Sequence, residues 1–251
     1  MNKISVVGLG PGGLDEMTPK ARRAIEQAEV VAGYNTYIKL IENILGGKKI
    51  IGRAMRQEVE RSQLAIEEAL AGRNVAVVSS GDAGVYGMAG LVVDMLLDLP
   101  ETQRPQFEVI AGVSAVNAAA AVLGAPLMHD FAIISLSDLM TPWERITRRV
   151  RSAAEGDFVI ALYNPKSKRR TTQLAEVQTI LLEFRDKDTP VGIVTNAGRP
   201  GESKILSTLE NFTREEVNMF SLVIIGNSQT YVKAGFMITP RGYERSQPLC
   251  D

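Results

Sequence analysis

The chain has 251 residues, 45% of them hydrophobic, enough to bury one large core or two modest ones. Its 28 Lys and Arg nearly balance 29 Asp and Glu, so the overall charge does not point to nucleic acid or to an acidic membrane surface. One cysteine, Cys250, and one histidine exclude an intrachain disulfide and a Cys/His metal site, and this usage fits a reducing cytoplasm.

The N-terminal run MNKISVVGLG is too short in apolar residues for a signal peptide. Residues 4–7 read as a short buried strand, and the turn after it, Gly8 to Gly13, matches GxGxxG literally. A dinucleotide site is nonetheless rejected. That motif needs a helix that begins within the glycines and aims its N-terminus at a pyrophosphate. Here the helix signal comes later, with Thr18 as N-cap and Pro19 at the first helical position, and the next strand ends in Gly33-Tyr34 without an acid for a ribose.

Helices 18–27, 35–45 and 57–71 alternate with strands 29–32, 48–51 and 74–78, which predicts a parallel sheet. The last of these strands runs into Ser79-Ser80-Gly81-Asp82, and a second glycine-rich turn carries Val85 and Tyr86 into a helix over 84–97. A buried strand ending in such a loop suits a ligand approaching the backbone at the carboxyl edge of the sheet. Asp82 then either accepts hydrogen bonds from a hydroxyl-bearing or cationic ligand or caps the following helix, and the loop alone leaves both readings open. Strand 107–111 completes the first domain, residues 1–112. The stretch 109–128 is interrupted by Gly112, Ser114, Asn117, Gly124 and Pro126 and reads as a strand and an Ala-rich helix, not a membrane span.

The second domain, residues 113–251, reads as strand 132–136, a helix with Thr141 as N-cap and Pro142 at its first position, and strand 158–162. A helix to about Arg185 and strands 191–195, 204–208 and 221–225 follow. Several strands in this half end in small polar loops, which suits a ligand cleft lined by strand ends of both domains.

No HExxH, Walker, nucleophile-elbow or paired-cysteine motif is present. His129-Asp130 is the one adjacent acid/base pair, but neighbouring side chains on a strand point to opposite faces, which favours a histidine that simply sits in a loop. Ser137, Asp138 and Thr141 share one loop. Lys166, Lys168, Arg169 and Arg170 form either a solvated face or a site for a substrate with several carboxylates, and Arg53, Arg56, Arg61, Arg241 and Arg245 are weaker members of that set. Without a nucleophile, metal set or dinucleotide fingerprint, group transfer from a small bound donor fits best.

The stretches VGLGPGGLDEMT, SSGDAGVYGMA, AGVSAVNAAAAVLGAPLMHDF, ISLSDLMTPW, FVIALYNPKSKRR, TPVGIVTNAGRPGE, MFSLVIIGNS and ITPRGY span almost the whole chain. Together they resemble the tetrapyrrole methylases, and within them the precorrin-3B carbon-17 methyltransferases of cobalamin synthesis. The resemblance implies an α/β fold of two α/β domains with mostly parallel or mixed sheets, normally a cytoplasmic homodimer, with S-adenosylmethionine in a cleft between the domains and S-adenosylhomocysteine as product. The donor would contact Leu9, Pro11, Gly81, Asp82, Ala83, Val85, Ser114 and Ala115, and across the cleft Leu162, Tyr163, Asn196, Ala197, Val223 and Ile224. The polycarboxylate tetrapyrrole would meet Gly10, Tyr86, Thr141, Asn164, Lys166, Lys168 and Arg169. Relatives often carry proline where this chain has Ala83 and Ala111, a departure that bears on loop shape. Methylation of precorrin-3B or cobalt-factor III at carbon 17 would accompany contraction of the macrocycle, for which His129, Asp130, Ser137 and Asp138 are the acid/base candidates. Alternatives are a sibling methylase acting at another ring carbon, a nicotinamide oxidoreductase, and a non-catalytic binding module.

Overall fold

A computed structural model describes residues 2–54, 57–167 and 169–242. Arg56, Lys168, Arg245 and Cys250, all singled out above, lie outside the described residues. The chain divides into two compact units, one through Ala118 and one from Ala119, whereas the sequence places the boundary after residue 112.

The first unit is a five-stranded sheet in the order β3-β2-β4-β1-β5, parallel throughout. Its strands are β1 (Lys3–Gly8), β2 (Val30–Tyr34), β3 (Lys49–Arg53), β4 (Val75–Ser79) and β5 (Gln106–Ile110), and its helices are α1 (Pro19–Gln27), α2 (Asn35–Lys39), α3 (Glu58–Leu70) and α4 (Ala89–Leu97). Every residue of β4 is buried, as its continuous apolar run requires of a central parallel strand. Alternate residues feed two cores. Val75 and Val77 pack with α3 and α4 on one face, and Ala76 and Val78 pack with α1 and the segment after β2 on the other. The helix following β4 therefore lies on the opposite face from those following its neighbours β1 and β2. Crevices open at such switch points, on the carboxyl side of the sheet.

Two predicted helices are shorter than expected. The helix from Asn35 stops at Lys39, because Ile41 leaves helical geometry at φ −122° and is buried in the core. The helix expected from residue 84 begins at Ala89. Tyr86 adopts a left-handed φ of 55°, which a continuous helix cannot contain, and the Ser79 hydroxyl accepts a hydrogen bond from the Met88 N–H at 3.2 Å just ahead of the helix.

At the opposite, amino edge of this sheet, Glu108 on β5 pairs with Lys3 at 2.6 Å and with Lys20 at 2.9 Å. A cavity of about 330 Å³ lies there, lined by Lys3, Lys20, Arg23, Asn74 and Glu108, a strand length away from the loops that follow β1 and β4. Lys3 first, and then Lys20, hold the Glu108 carboxyl below the usual carboxylate range against the opposing effect of burial. A depressed folded value gives stability that is complete above the unfolded carboxylate pKa and is lost as the pH falls through the folded value. Glu108→Gln is expected to cost under about 1 kcal/mol at neutral pH, since the group is partly exposed, and to flatten the acid limb of stability below the usual carboxylate range. Urea midpoints of both proteins across that range provide the check.

The second unit holds a mixed five-stranded sheet in the order β10-β9-β11-β8-β7. The strands are β7 (Phe131–Ser135), β8 (Val159–Tyr163), β9 (Pro190–Thr195), β10 (Ser203–Thr208) and β11 (Ser221–Ile225). Only β7 and β8 pair parallel; β11 runs antiparallel to both β8 and β9, and β10 antiparallel to β9. The carboxyl ends of β7, β8 and β9 thus share one edge with the starts of β10 and β11. Helices α6 (Trp143–Glu155) and α7 (Gln173–Leu181) cover one face, in a core that includes Leu162, Phe212 and Val223. Leu123, at the end of α5 (Ala115–Leu123), sits over Gly192, where an added Cβ would meet its side chain at 2.5 Å.

Two features of this unit depart from the sequence reading. Pro142, not Thr141, is the N-cap of α6, and its carbonyl accepts the Arg145 and Ile146 N–H groups. A small sheet, β12-β13-β6, joins Tyr231–Lys233, Phe236–Ile238 and Gly124–Ala125. Its strands of two or three residues are too short to show an alternating pattern.

Candidate functional site

In the first unit the loops after β1, β4 and β5 are fused backbone to backbone. The Leu9 N–H donates to the Ser79 carbonyl at 2.8 Å, and Gly10 and Gly81 exchange hydrogen bonds at 3.0 and 2.8 Å as an isolated antiparallel bridge. Gly10 and Gly81 hold φ values of 81° and 68°, which side chains other than glycine rarely adopt. Gly8 and Gly112 approach so closely that a Cβ on Gly8 would lie 2.7 Å from both the Gly112 nitrogen and the Gly81 carbonyl oxygen.

Asp82 braces this junction. One carboxylate oxygen accepts from the Gly84 N–H at 2.8 Å and the other from the Gly112 N–H at 2.9 Å, so one side chain ties the β4 loop to the β5 loop. Of the two readings left open for Asp82, the cap of the following helix is not what the structure shows; the carboxylate braces the loops instead. Its oxygens point into the loop junction, and the helix it would have capped starts seven residues later, at Ala89. Ser114 precedes α5, its carbonyl accepting from Asn117 and Ala118, and the Ala115 nitrogen would lie 3.5 Å from a Cβ on Gly81. The structure therefore brings Gly10, Gly81, Asp82, Ser114 and Ala115 together. Leu9, Pro11 and Ala83 are buried beside them, Val85 is half-buried, and Tyr86 is 56% exposed.

The junction carries no lysine or arginine between residues 8 and 13, 79 and 88, or 111 and 115. In the first of its loops no α-helix starts within the glycines, since α1 begins at Pro19, where the Thr18 hydroxyl accepts from the Ala21 N–H. Its polar surface consists of backbone groups, hydroxyls and the half-buried Asp82 carboxylate. Without a lysine or arginine, and with the Asp82 carboxylate beside it, it suits a neutral or cationic ligand better than a phosphate.

In the second unit the loops after β7 and β8 are locked together. The Asn164 side chain, on a residue with φ 51°, donates to the Ser135 hydroxyl at 3.0 Å, and the Leu136 N–H donates to the Tyr163 carbonyl at 2.9 Å. Arg170 is buried, donates to the Asn164 carbonyl at 2.8 Å and faces the Asp138 carboxylate at 3.6 Å, while Gln173 also donates to Asp138. Arg170 is thus a loop clamp, unlike its exposed neighbours Lys166 and Arg169. Sequence reading grouped the four basic residues because their separation is decided only by which side chain turns inward. Arg61 is likewise turned inward, 3% exposed against the Met88 sulfur, and burial lowers its pKa; Arg53 pairs with Glu60, and Arg241 is exposed. Asn196, at φ 55°, follows β9 with Ala197, both half-buried, and its N–H donates to the Phe220 carbonyl. Leu162, Val223 and Ile224 are fully buried within the sheet.

The four acid/base candidates do not form one cluster. Ser137 and Asp138 follow the carboxyl end of β7, whereas His129 and Asp130 precede its amino end, about 16 Å away across five residues. The His129 Nδ1 accepts from the Asp130 N–H on an exposed turn. His129→Ala and Asp130→Ala are expected to leave donor affinity and turnover within about twofold of the parent, checked by titration and steady-state assay.

The family described as Tetrapyrrole (Corrin/Porphyrin) Methylases matches residues 3–213. This chain belongs to the tetrapyrrole methylase family. A Salmonella typhimurium methylase named probable cobalt-factor III C(17)-methyltransferase is 52% identical over 242 residues, covering 96% of this chain and 99% of that protein. A Priestia megaterium protein named cobalt-factor III methyltransferase is 48% identical over 249 residues, 98% of this chain, and this chain spans 46% of its length. In three dimensions the crystal structure of the methyltransferase CobJ superposes with a TM-score of 0.89 at 36% identity, covering 96% of this methylase and 100% of that chain. Uroporphyrin-III C-methyltransferase from Thermus thermophilus, complexed with S-adenyl homocysteine, gives a TM-score of 0.70 at 26% identity and covers 89% and 97%. Among the described residues of this methylase, no helix is long and apolar enough to cross a membrane.

Proposed function

We propose that this chain is an S-adenosylmethionine-dependent carbon methyltransferase of cobalamin biosynthesis, acting at carbon 17 of cobalt-factor III or precorrin-3B with contraction of the macrocycle. The observation that carries the reading is the junction of the first unit, three strand-end loops fused through Gly8, Gly10, Gly81 and Gly112 and braced by Asp82. Its backbone carbonyls and the Ser114 hydroxyl suit the ribose, ammonium and sulfonium groups of the donor, and the absence of cations suits a ligand without phosphate. The relatives named for carbon-17 methylation support the substrate, and the neighbour complexed with S-adenyl homocysteine supports the donor.

Bound S-adenosylmethionine supplies a methyl group already activated on a sulfonium. What remains for the chain is to hold the donor and a nucleophilic ring carbon in line and to exclude water, a task in which orientation is worth ~7–11 kcal/mol. The glycine junction, its loops tied by paired backbone hydrogen bonds, would supply that hold on the donor. For ring contraction, Asp138 and Ser137 lie on the anchored loop after β7 and are the nominated proton-handling groups. A cytoplasmic homodimer belongs to the same proposal.

Calorimetric titration with S-adenosylhomocysteine beside NADP tests the donor assignment. Saturable binding of S-adenosylhomocysteine alone is expected. Binding of NADP instead would restore the oxidoreductase reading of the GxGxxG turn.

A further inference from the structure

The loop after β7 presents Leu139 at 62% and Met140 at 92% exposure, side by side. Two adjacent large apolar side chains left in water forgo most of the gain of burial. They are not on a slack loop. Asp138, immediately before them, is held by Arg170 and Gln173, the Ser137 N–H donates to the Ser135 hydroxyl, and α6 begins at Trp143. The loop is anchored on both sides and holds its apolar tip outward.

Exposed cations lie on the loop anchored beside it. Lys166 and Arg169 are in the loop after β8, which the Ser135–Asn164 hydrogen bond and the Arg170 clamp fix against the β7 loop. Phe220, 49% exposed, starts from the same edge of the sheet ahead of β11. An apolar tip on one loop, with lysine and arginine exposed on the loop anchored to it, matches a ligand with a flat apolar body and several carboxylates.

We infer that Leu139 and Met140 form an apolar plate against one face of the tetrapyrrole macrocycle, while Lys166 and Arg169 take peripheral carboxylates. This rests on the methyltransferase reading above and names the residues that select its substrate class. Met140 suits the task because an unbranched thioether adapts to an uneven ring face and makes favourable contacts with a conjugated surface.

The test uses the full chain and the octacarboxylate porphyrin uroporphyrin I as probe, followed by fluorescence quenching. The parent and the double variant Leu139→Ser/Met140→Ser are compared, with S-adenosylhomocysteine titration, thermal unfolding and size-exclusion chromatography on each. The double variant is expected to weaken porphyrin binding at least tenfold, leaving S-adenosylhomocysteine affinity, melting temperature and oligomeric state unchanged. Lys166→Gln is expected to weaken porphyrin binding and to reduce its salt dependence. Equal porphyrin binding by parent and double variant overturns the plate. A change in oligomeric state also overturns it, by making the tip a contact between copies of the chain. Failure of the parent itself to bind porphyrin counts against the methyltransferase reading and the plate together, whereas loss confined to the variant supports both.

Discussion

Gly112→Ala will destabilise the protein by about 3 kcal/mol or more and abolish measurable donor binding. The added Cβ would lie 2.7 Å from the Gly8 carbonyl carbon and in collision with the Gly81 carbonyl oxygen. All of these obstacles are backbone atoms of strand-end loops that pair with one another, so none can swing aside as a side chain does. The three loops would have to separate, breaking the Gly10–Gly81 bridge and the bond from Gly112 to Asp82. For a chain of this length, 3 kcal/mol corresponds to a fall in melting temperature of roughly 6–12 °C. Gly90→Ala is the matching control. Gly90 lies in α4 with nothing within 4 Å of a built Cβ, so the same substitution there should raise stability by up to about 1 kcal/mol. Calorimetric unfolding of the two variants, expected to move in opposite directions, separates steric collision from any general effect of replacing glycine.

Asp82→Ala is the second large effect, with an expected loss of about 2–4 kcal/mol, since two charge-assisted hydrogen bonds disappear and the Gly112 N–H is left without its acceptor. Affinity for S-adenosylhomocysteine should fall at least tenfold. Asp82→Asn keeps one acceptor oxygen and presents an NH2 to the other donor, so it should recover part of both losses. A brace and a direct ligand contact predict different patterns across this series. With a brace, stability and affinity fall together in proportion. With a direct contact, affinity falls while the urea midpoint stays at the parent value, and that outcome would remove Asp82 from the structural role assigned to it.

Much of this protein was legible in local residue patterns, because the relevant forces act over a few residues. The apolar run of Val75 to Val78 is long enough only for a strand buried on both faces, and β4 is one. Thr18-Pro19 is a helix start by the chemistry of a hydroxyl acceptor and a missing N–H, which sets the literal GxGxxG apart from a phosphate-binding turn. Small polar residues after apolar runs mark the loops at Gly81, Asn164 and Asn196, because side chains there must tolerate left-handed or close-packed backbone.

What tertiary structure alone decided concerns partners distant in sequence. Asp82 meets Gly112 thirty positions later, so no spacing rule could tell a brace from a ligand contact. Arg170 turns inward to Asn164 and Asp138 while Arg169 and Lys166 stay in water, a choice made by the loop's fold and invisible in a run of four like charges. His129 and Asp138 are close in sequence yet beyond opposite ends of one strand, because the five extended residues of β7 between them span about 16 Å. Sequence by itself determined the strands of the two five-stranded sheets and the family the chain resembles, but not the two- and three-residue strands of the small sheet. Only the packed backbone decided which polar groups in the strand-end loops serve the fold and which face outward toward a ligand, because that sorting depends on contacts between strands far apart in the chain.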